Sequence, residues 1–498
     1  MSSFVGIDLG TCFSAIAYID KTGRPQIIPN KDGENITPSV VSLRKDGDKD
    51  DIEVGTLAYN TWGYDKKNTA ARFKRQMHED TLIEMGGNKY TPARLSAYVL
   101  EELVKDAKST IKDIEEVVIS IPANFPNVAR VATLEAGKIA GLNVNFIVNE
   151  PVAAALGYAF LNQEAYEGIY AVYDFGGGTF DFSVIEIKSK EFNVLATNGI
   201  QKCGGDDLDQ ILFEIIESKY KDITGENIEF EEFNTTHAEK AKKALSTREH
   251  HQVKVGKEII EINRKEFEEA IETLVLQTEV IVKKTLEEAS LSPINVNEVF
   301  LVGGSTRVPA IKRVVEKIFG GKITQSLNPD EVVALGAAMF AGMKGDRSKM
   351  NPAGQATIAK LSVNDISSKC FGTIYLDTYV GKSFNKVIIE KGEELPCSRT
   401  ERFELISDFQ EFITCRITES VAPEENIDFV NVLWEGVLDL SNPNETRVGD
   451  PIDVTYSYDE NQVMHCEFKE IRSGISKKVN LDLHKFNTSG SSEDINIE

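Results

Sequence analysis

The chain has little of three things that would define its class: patterned cysteine, positive charge and long apolar runs. Its six cysteines are scattered and form no C-x-x-C pair, which argues against a zinc site or a disulfide framework. The formal net charge of −24 argues against nucleic acid or an anionic membrane surface as the main partner. Because no apolar run reaches membrane-spanning length and no signal-like segment opens the chain, we expect a cytoplasmic protein.

The composition and periodicity change along the 498 residues, which exceed what one hydrophobic core usually supports. Residues 1–344 mix apolar strands with amphipathic helices, as in an α/β domain. Residues 345–364 are polar and rich in helix-breaking types, which predicts a linker. Period-two alternation then predicts a compact all-β domain over residues 365–485, and the polar residues 486–498 are predicted to be disordered.

Two segments repeat one pattern, in which an apolar strand meets an Asp-x-Gly turn and a second apolar strand follows. They are FVGIDLGTCFSAIAYI at residues 4–19 and IYAVYDFGGGTFDFSVIEI at residues 169–187. Glycines without a Cβ let successive backbone N–H groups converge on an anion. Asp8 and Asp174 end the first strands, where a carboxylate can hold the water shell of Mg²⁺. The repeat predicts a phosphate clamp built from two homologous halves.

A third glycine turn supports this interpretation. VFLVGGSTRVP, at residues 299–309, again leads an apolar strand into paired glycines, with Ser305, Thr306 and Arg307 just beyond. Any one of the three turns alone is equally typical of an ordinary hairpin. Three in one chain favour a nucleotide phosphate site.

Six strings identify a family. IDLGTCFS, VNEPVAAALGYAF, YDFGGGTFDFS, CGGDDLD, AEKAKKALS and LVGGSTRVP occur in this order and closely resemble the ATPase domain of the seventy-kilodalton heat-shock chaperone family, itself similar to actin and the sugar kinases. The match covers residues 3–344, and a weaker resemblance to the family's peptide-binding domain continues to about residue 485. The resemblance implies an α/β fold, with an actin-like ATPase domain of duplicated halves followed by a small all-β sandwich.

The resemblance also implies which residues act on the phosphates. Asp8 and Asp174 would organise hydrated Mg²⁺, and Lys74 would reach the transferred phosphoryl group. The implied catalytic residues are Lys74, Glu150, Asp174, Thr179 and Asp181. This set suits phosphoryl transfer, which depends on positioning and charge neutralisation. Without the motif, Lys74 would be interpreted as a solvated surface lysine.

The rest of the nucleotide would contact the glycine turns and the strings AEKAKKALS and GGSTR. The implied nucleotide-binding residues are Gly10, Thr11, Cys12, Gly176, Gly177, Gly178, Thr179, Gly204, Gly205, Glu239, Lys242, Lys243, Ser246, Gly303, Gly304, Ser305, Arg307 and Asp330. Arg307 would stack on the base beside the stem of Lys243. The alternative is that AEKAKKALS is only a charged helix face. The implied cofactors are ATP or ADP and Mg²⁺, with K⁺ as a further candidate.

In the β domain the resemblance implies a cleft for unfolded or extended polypeptide clients. Its walls would include Tyr375, Leu376, Phe403, Ile406 and Ile413. The alternative is that these apolar residues are ordinary sandwich core. A nucleotide-exchange factor is a further implied partner.

Three departures from the family pattern limit these expectations. No long helical segment follows residue 485, so we expect no helical lid and rapid peptide release. The linker before Asp365 reads Leu-Ser-Val-Asn, where the family has consecutive leucines, so we expect weaker docking. Phe146 stands where many members carry an arginine that receives a J-domain partner, which argues against ordinary J-domain stimulation.

The sequence therefore predicts an ATP-dependent molecular chaperone that hydrolyses ATP to control its binding of client polypeptide. The alternative is a nucleotide-binding regulatory co-chaperone with little hydrolysis, whose β domain docks one dedicated partner; the departures favour it. A sugar or metabolite kinase of the same fold fits poorly, because the β domain has no place in one.

Overall fold

The computed structural model describes residues 3–46, 49–161, 167–324, 328–440, 443–459 and 463–481. The predicted disordered tail, residues 486–498, lies outside the described part. The chain forms two compact units. Unit 1 consists of Met1–Phe125 and Ala136–Asn364, and unit 2 of Pro126–Glu135 and Asp365–Glu498.

The first large sheet of unit 1 has six strands. In spatial order they are Phe146–Asn149, Ile114–Ile121, Ser3–Asp8, Phe13–Ile19 and Pro25–Ile27, with Thr37–Pro38 also paired to Phe13–Ile19. The first three strands are parallel, and the later pairings are antiparallel. Val5 and Ile7 are fully buried, which explains why the motif strand lies in the middle of the sheet.

The second large sheet of unit 1 repeats this pattern. In spatial order its strands are Ile323–Thr324, Glu298–Val302, Gly168–Phe175, Phe180–Lys188, Glu191–Ile200 and Ser362–Asn364. Again the first three strands are parallel and the next two pairings antiparallel. Asp8 is the last residue of its strand and Asp174 the last but one of its own. Each sheet therefore ends a central strand with an aspartate and a glycine turn.

Helices and three small sheets complete unit 1. The α-helices of unit 1 are Thr56–Trp62, Pro92–Ala107, Glu150–Leu161, Gly205–Thr224, Thr235–Thr247, Arg264–Ala270, Glu272–Glu288, Pro309–Phe319, Val332–Lys344 and Pro352–Ile358. A further α-helix, Asn127–Ile139, is divided between the units: its residues up to Glu135 belong to unit 2 and the rest to unit 1. The 3₁₀ turns are Lys66–Asn68, Phe73–Gln76, Pro293–Asn295, Gly304–Arg307 and Arg347–Lys349. The small sheets pair Val40–Asp46 with Lys49–Val54 and Thr69–Ala71, Ile83–Met85 with Asn88–Tyr90, and His250–Val255 with Glu258–Asn263. None of the helices in the described part of the chain is both long and apolar enough to span a membrane.

The helix Val332–Lys344 lies in the core of unit 1, against the helix Glu150–Leu161 and the strand Ser3–Asp8. Glycine allows this close approach. A Cβ added at Gly336 would lie 1.7 Å from the Ala153 carbonyl oxygen, and one added at Gly6 would lie 2.0 Å from the Ala338 nitrogen. Backbone contacts therefore fix the centre of the unit.

Unit 2 is built on two four-stranded antiparallel sheets. Their strands, in spatial order, are Lys382–Ile389, Cys370–Asp377, Phe412–Ser420 and Asn431–Asp439 in one, and Cys397–Glu404, Pro451–Tyr458, Met464–Glu470 and Ser476–Asn480 in the other. Short 3₁₀ turns occur at Ile427–Phe429 and Pro443–Glu445. Ile452, Val454, Tyr456 and Tyr458 are buried in alternation with less buried residues, as expected for one face of a sandwich. The predicted combination of a mixed α/β fold and a β domain is confirmed.

The predicted linker contains regular structure. A helix spans Pro352–Ile358, and the strand Ser362–Asn364 pairs in parallel with Glu191–Asn193 of the second large sheet. The Asn364 side-chain amide donates to Asn193 Oδ1 at 2.7 Å. The predicted domain boundaries themselves stay predictions.

Candidate functional site

A cavity of about 470 Å³ lies in unit 1, where the strands that carry Asp8 and Asp174 end. Its volume is in the range typical of small-molecule sites. Both aspartates line it, together with residues of all three glycine turns. The sequence places these turns more than 100 residues apart, and the fold brings them to one cavity.

Most of the predicted nucleotide-site residues line this cavity. They are Asp8, Gly10, Thr11, Cys12, Lys74, Glu150, Asp174, Gly176, Gly177, Thr179, Gly205, Glu239, Lys242, Lys243, Ser246, Gly303, Gly304, Ser305, Arg307 and Asp330. The lining shows where these side chains and backbones lie, and their roles stay predictions.

Three predicted residues are not among the lining residues. A Cβ added at Gly178 would lie 2.9 Å from Thr11 Oγ1, and one at Gly204 would lie 2.5 Å from the Gly177 carbonyl oxygen, so Gly178 packs against the first turn and Gly204 against the second. Asp181 is 2% exposed, and its Oδ1 accepts a hydrogen bond from the Asn124 backbone at 3.1 Å. A structural role for the two glycines explains why the motif requires them.

A buried lysine and three carboxylates meet at one end of the cavity. Lys74, in the turn Phe73–Gln76, donates from Nζ to Glu150 Oε1 at 2.9 Å. Lys74 is only 4% exposed, so its interpretation as a solvated surface lysine is wrong. Glu150 begins its helix, which places its carboxylate beside the strand ends. The two side chains thus form an ion pair that is largely shielded from water.

The aspartates at this end carry an electrostatic cost. Burial, followed by the charge of Glu150, raises the pKa of Asp8 to about 7, although Ser120 Oγ donates to Asp8 at 2.7 Å. Burial and the charges of Glu150, Asp181 and Asp8 also raise the pKa of Asp174. A cation that binds here relieves this repulsion, so the donor set fits Mg²⁺. In the described residues no group of three or more acidic, histidine or cysteine side chains is placed to hold a metal ion.

The first two glycine turns touch each other at the cavity. A Cβ added at Gly177 would lie 2.3 Å from Cys12 Sγ, so only glycine lets the turns approach this closely. The Gly10 N–H donates to Ser14 Oγ at 3.1 Å, and the Gly176 N–H donates to the Thr179 carbonyl at 3.1 Å. Both turns are thus held by local hydrogen bonds.

The other end of the cavity is formed largely by the helix Thr235–Thr247. Lys242 Nζ donates to the Gly205 carbonyl at 2.8 Å, and Lys243 pairs with Glu239 at 2.7 Å. Burial alone would raise the pKa of Glu239, but Lys243, Lys242 and a hydrogen bond from Tyr59 lower it. Because Glu239 and Lys242 are buried, the string is not merely a charged helix face.

Arg307 lies at the edge of the cavity and is held in place. Its Nη1 pairs with Asp330 Oδ2 at 2.6 Å, and its Nη2 donates to Asn328 Oδ1 at 2.9 Å. Half of its side chain is exposed, which leaves a guanidinium face available for stacking.

The sequence analysis missed several lining residues. Asp209 lines the cavity and pairs with Lys242 at 2.8 Å, and burial raises the pKa of Asp209 to about 7. The string CGGDDLD ends at this aspartate, but the sequence analysis predicted nucleotide contacts only for the two glycines of the string. The other missed residues are Phe13, Ile36, Thr247, Val302, Val308, Pro329 and Val333. Most of these are apolar and carry no motif that marks them as ligand contacts.

The predicted peptide-cleft residues have mixed environments in unit 2. Tyr375 and Phe403 have ring centroids 5.7 Å apart. Leu376 and Ile406 are exposed, whereas Phe403 and Ile413 are half-buried against the sandwich core. The cleft assignment stays a prediction.

The fold and cavity define the class as a mixed α/β protein with a separate β-sheet unit. The chain matches the family model described as Hsp70 protein over residues 4–82 and 78–496. It is 34% identical over 493 residues to the chaperone protein DnaK of Thermotoga neapolitana and to that of Thermotoga petrophila, with 94% of this chain and 78% of each relative covered. The chain belongs to the Hsp70 family, and the predicted family is confirmed.

Proposed function

We propose that this protein is an ATP-dependent chaperone. It binds Mg-ATP in the cavity of unit 1, hydrolyses it, and uses the nucleotide state to change the affinity of unit 2 for extended apolar polypeptide. The observation that carries this proposal is that Lys74, Glu150, Asp8 and Asp174 converge beside two glycine turns in one cavity. Membership of the Hsp70 family supports it.

This arrangement supports the following catalytic roles. Glu150 holds the Lys74 ammonium in place, so that Lys74 can stabilise charge on the transferred phosphoryl group. Asp8 and Asp174 would hold Mg²⁺ through water, and the ion, when bound, neutralises the β- and γ-phosphates. Glu150 would also position the attacking water. Asp181, which is not among the lining residues, would help to polarise it. The glycine turns donate backbone N–H groups to phosphate oxygens.

The clamp is proposed to consist of two duplicated halves. The two large sheets share one strand order and one set of strand directions. Each contributes an aspartate and a glycine turn to the cavity. An actin-like arrangement of this kind grips one triphosphate from both sides. A cytoplasmic location, an exchange factor and a K⁺ requirement stay untested predictions.

The enzymatic part is tested by steady-state ATPase rates of the wild type, Lys74→Ala and Thr179→Ala. We expect both variants to lose about a hundredfold or more in rate, as is typical when a transition-state charge contact is removed. The matched control is Lys283→Ala, which breaks a 2.8 Å lysine–glutamate pair whose lysine is 63% exposed and should keep the wild-type rate. Equal, near-zero rates in the wild type and both site variants would contradict hydrolysis.

The chaperone part is tested by fluorescence anisotropy with a panel of unrelated unfolded peptides, with ATP and with ADP. We expect the peptides to bind more weakly, or to exchange faster, in the presence of ATP than in the presence of ADP. Failure to bind any panel peptide would support the regulatory co-chaperone with one dedicated partner.

A further inference from the structure

Asp206 contacts both of the glycine turns that meet at the cavity. Its backbone N–H donates to the Gly177 carbonyl at 2.8 Å. Its side chain accepts a hydrogen bond from Cys12 Sγ to Oδ1 at 3.3 Å. The first turn comes from the first large sheet and the second turn from the second, so one residue connects the two.

Arg72 forms a buried ion pair with this aspartate. Arg72 Nε contacts Asp206 Oδ1, and Nη2 lies 3.6 Å from Asp209 Oδ2. The exposed fractions are 18% for the Arg72 side chain and 5% for that of Asp206. The guanidinium also stacks on Trp62, with its central carbon 4.3 Å from the ring centroid. These contacts fix both the position and the orientation of the cation.

The backbone at Arg72 ties this pair to the catalytic lysine. Arg72 has a φ of 60°, in the left-handed region, and immediately precedes the turn Phe73–Gln76 that contains Lys74. This conformation is unfavourable for a non-glycine residue. It is retained where the surrounding contacts determine it, and the ion pair and the Trp62 stack are such contacts.

Charge balance shows what the arginine does. The cavity is already lined by Asp8, Glu150, Asp174 and Asp209, and a triphosphate adds further negative charge. An uncompensated carboxylate between the glycine turns would repel the phosphates at low dielectric. Arg72 supplies the main positive charge that balances the Asp206 carboxylate. A second cation, Arg75, lies farther away, with its Nη1 at 3.6 Å from Asp206 Oδ2.

We propose that Arg72 and Asp206 act together as positioning residues for nucleotide binding. Asp206 holds the two glycine turns together, and Arg72 neutralises it so that the joined turns accept phosphate. The pair does not touch the reacting atoms, so it should affect the binding of substrate more than the chemical step. This inference rests on the proposed function of the cavity.

A double-mutant cycle measures the effect, with Mg-ATP affinity from calorimetry and kcat and KM from ATPase assays. Arg72→Gln should weaken binding about tenfold or more, because it leaves the Asp206 carboxylate with only the more distant Arg75 as a cationic partner. Arg72→Lys should restore part of the loss. Arg72→Gln with Asp206→Asn should recover most of it, because the amide keeps the bridge without the charge. The kcat at saturating Mg-ATP should stay within about twofold of the wild type.

The control for the cycle is Arg94→Gln. Arg94 also pairs with a carboxylate, Glu101 at 3.0 Å, and stacks on an aromatic ring, Tyr98 at 3.9 Å, but all three residues belong to the helix Pro92–Ala107 and none to a glycine turn. It should leave the affinity unchanged. An Arg72→Gln variant with wild-type affinity, or a double variant no better than the single, would overturn the inference.

A second readout requires no nucleotide, so it separates this inference from the proposed function. The charged groups around the Cys12 thiol are Asp206, Arg72, Glu239 and Asp209. Burial, followed by the charge of Asp206, raises the pKa of this thiol, whereas the charge of Arg72 lowers it. The rate of Cys12 alkylation by iodoacetamide, followed by mass spectrometry across pH, should therefore fall in Arg72→Gln and rise in Asp206→Asn. If the wild type binds no Mg-ATP, the proposed function fails. If neither substitution moves the alkylation profile, the coupling of Arg72 and Asp206 to Cys12 is refuted.

Discussion

His465 connects two neighbouring elements of unit 2. Its Nε2 lies 3.0 Å from Asp459 Oδ2, and its Nδ1 lies 3.0 Å from Asn480 Oδ1 on the adjacent strand. Partial burial lowers the pKa of His465, but the hydrogen bonds to Asn480 and Asp459 outweigh burial and raise the pKa above 6.5. By contrast, partial burial lowers the pKa of both His78 and His237.

A histidine titration by NMR should therefore give a midpoint above 6.5 for His465 and midpoints below 6.5 for His78 and His237. Because the folded-state pKa of His465 is raised, its contribution to the stability of unit 2 is fully present below pH 6.5 and is lost as the pH rises through the folded-state value. The contribution is about 0.5 kcal/mol or less, since 42% of the side chain is exposed. Asp459→Asn should lower the midpoint. A wild-type midpoint at or below 6.5 would contradict the assignment.

Single residues differ in how far the sequence reveals them. The glycines, Asp8 and Asp174 were predictable because each lies in a short local pattern. Arg72 and Asp209 were not, because an ion pair between residues 137 positions apart has no sequence period. Lys74 was found only through the family motif, since nothing local marks a lysine as buried.

Close packing of one helix sets the geometry of unit 1 at the scale of secondary structure. The helix Val332–Lys344 is buried along most of its length and crosses the helix Glu150–Leu161. That second helix begins with Glu150, so a displacement there would move a carboxylate of the proposed catalytic set. The crossing depends on Gly336, which has no room for a side chain.

Gly336→Ala should destabilise unit 1 by about 2 kcal/mol or more, because the new methyl group meets the backbone oxygen of Ala153 at 1.7 Å. Calorimetry should show the thermal transition of unit 1 lowered by roughly 4 °C or more. The control is Gly63→Ala, since Gly63 has a φ of −64° and a Cβ added there would meet its nearest atom, the Asn60 carbonyl oxygen, at an ordinary 3.6 Å. Equal transition temperatures for both variants would show that the helices can separate without cost.

The strands of unit 2 were predictable because alternation marks a half-buried sheet directly. The helix Pro352–Ile358 was not, because its sequence looks like a linker. Its first position is Pro352, and the Asn351 side chain caps it by accepting from the Gly354 N–H at 2.8 Å. Capping chemistry therefore starts a helix where composition alone indicates an irregular segment.

The strand Ser362–Asn364 ends where unit 1 ends and unit 2 begins in the sequence. It extends the second large sheet at Glu191–Asn193, and the Ser362 N–H donates to the Lys190 carbonyl at 3.2 Å. Val363 is only half-buried. Backbone hydrogen bonds thus attach this segment to the sheet that carries Asp174, with a small apolar contribution.

Coupling between nucleotide and peptide should therefore respond to the apolar contact of Val363. Val363→Ser removes an apolar side chain whose partial burial contributes about 0.7 kcal/mol to the attachment of the strand. The ratio of the peptide dissociation rate with ATP to that with ADP should therefore shrink about threefold. Val363→Leu should enlarge the ratio. Stopped-flow release of a fluorescent peptide measures both rates.

The same substitution at Val280, a valine of unit 1 that is 62% exposed, is the matched control and should leave the ratio unchanged. If Val363→Ser and Val363→Leu both keep the wild-type ratio, the paired strand does not transmit the nucleotide state. If instead Val363→Ser lowers the ATPase rate without peptide as well, the strand acts on the second sheet itself, because its partner strand is two strands away from Asp174. The ATPase rate without peptide thus separates transmission along the segment from support of the sheet that carries Asp174.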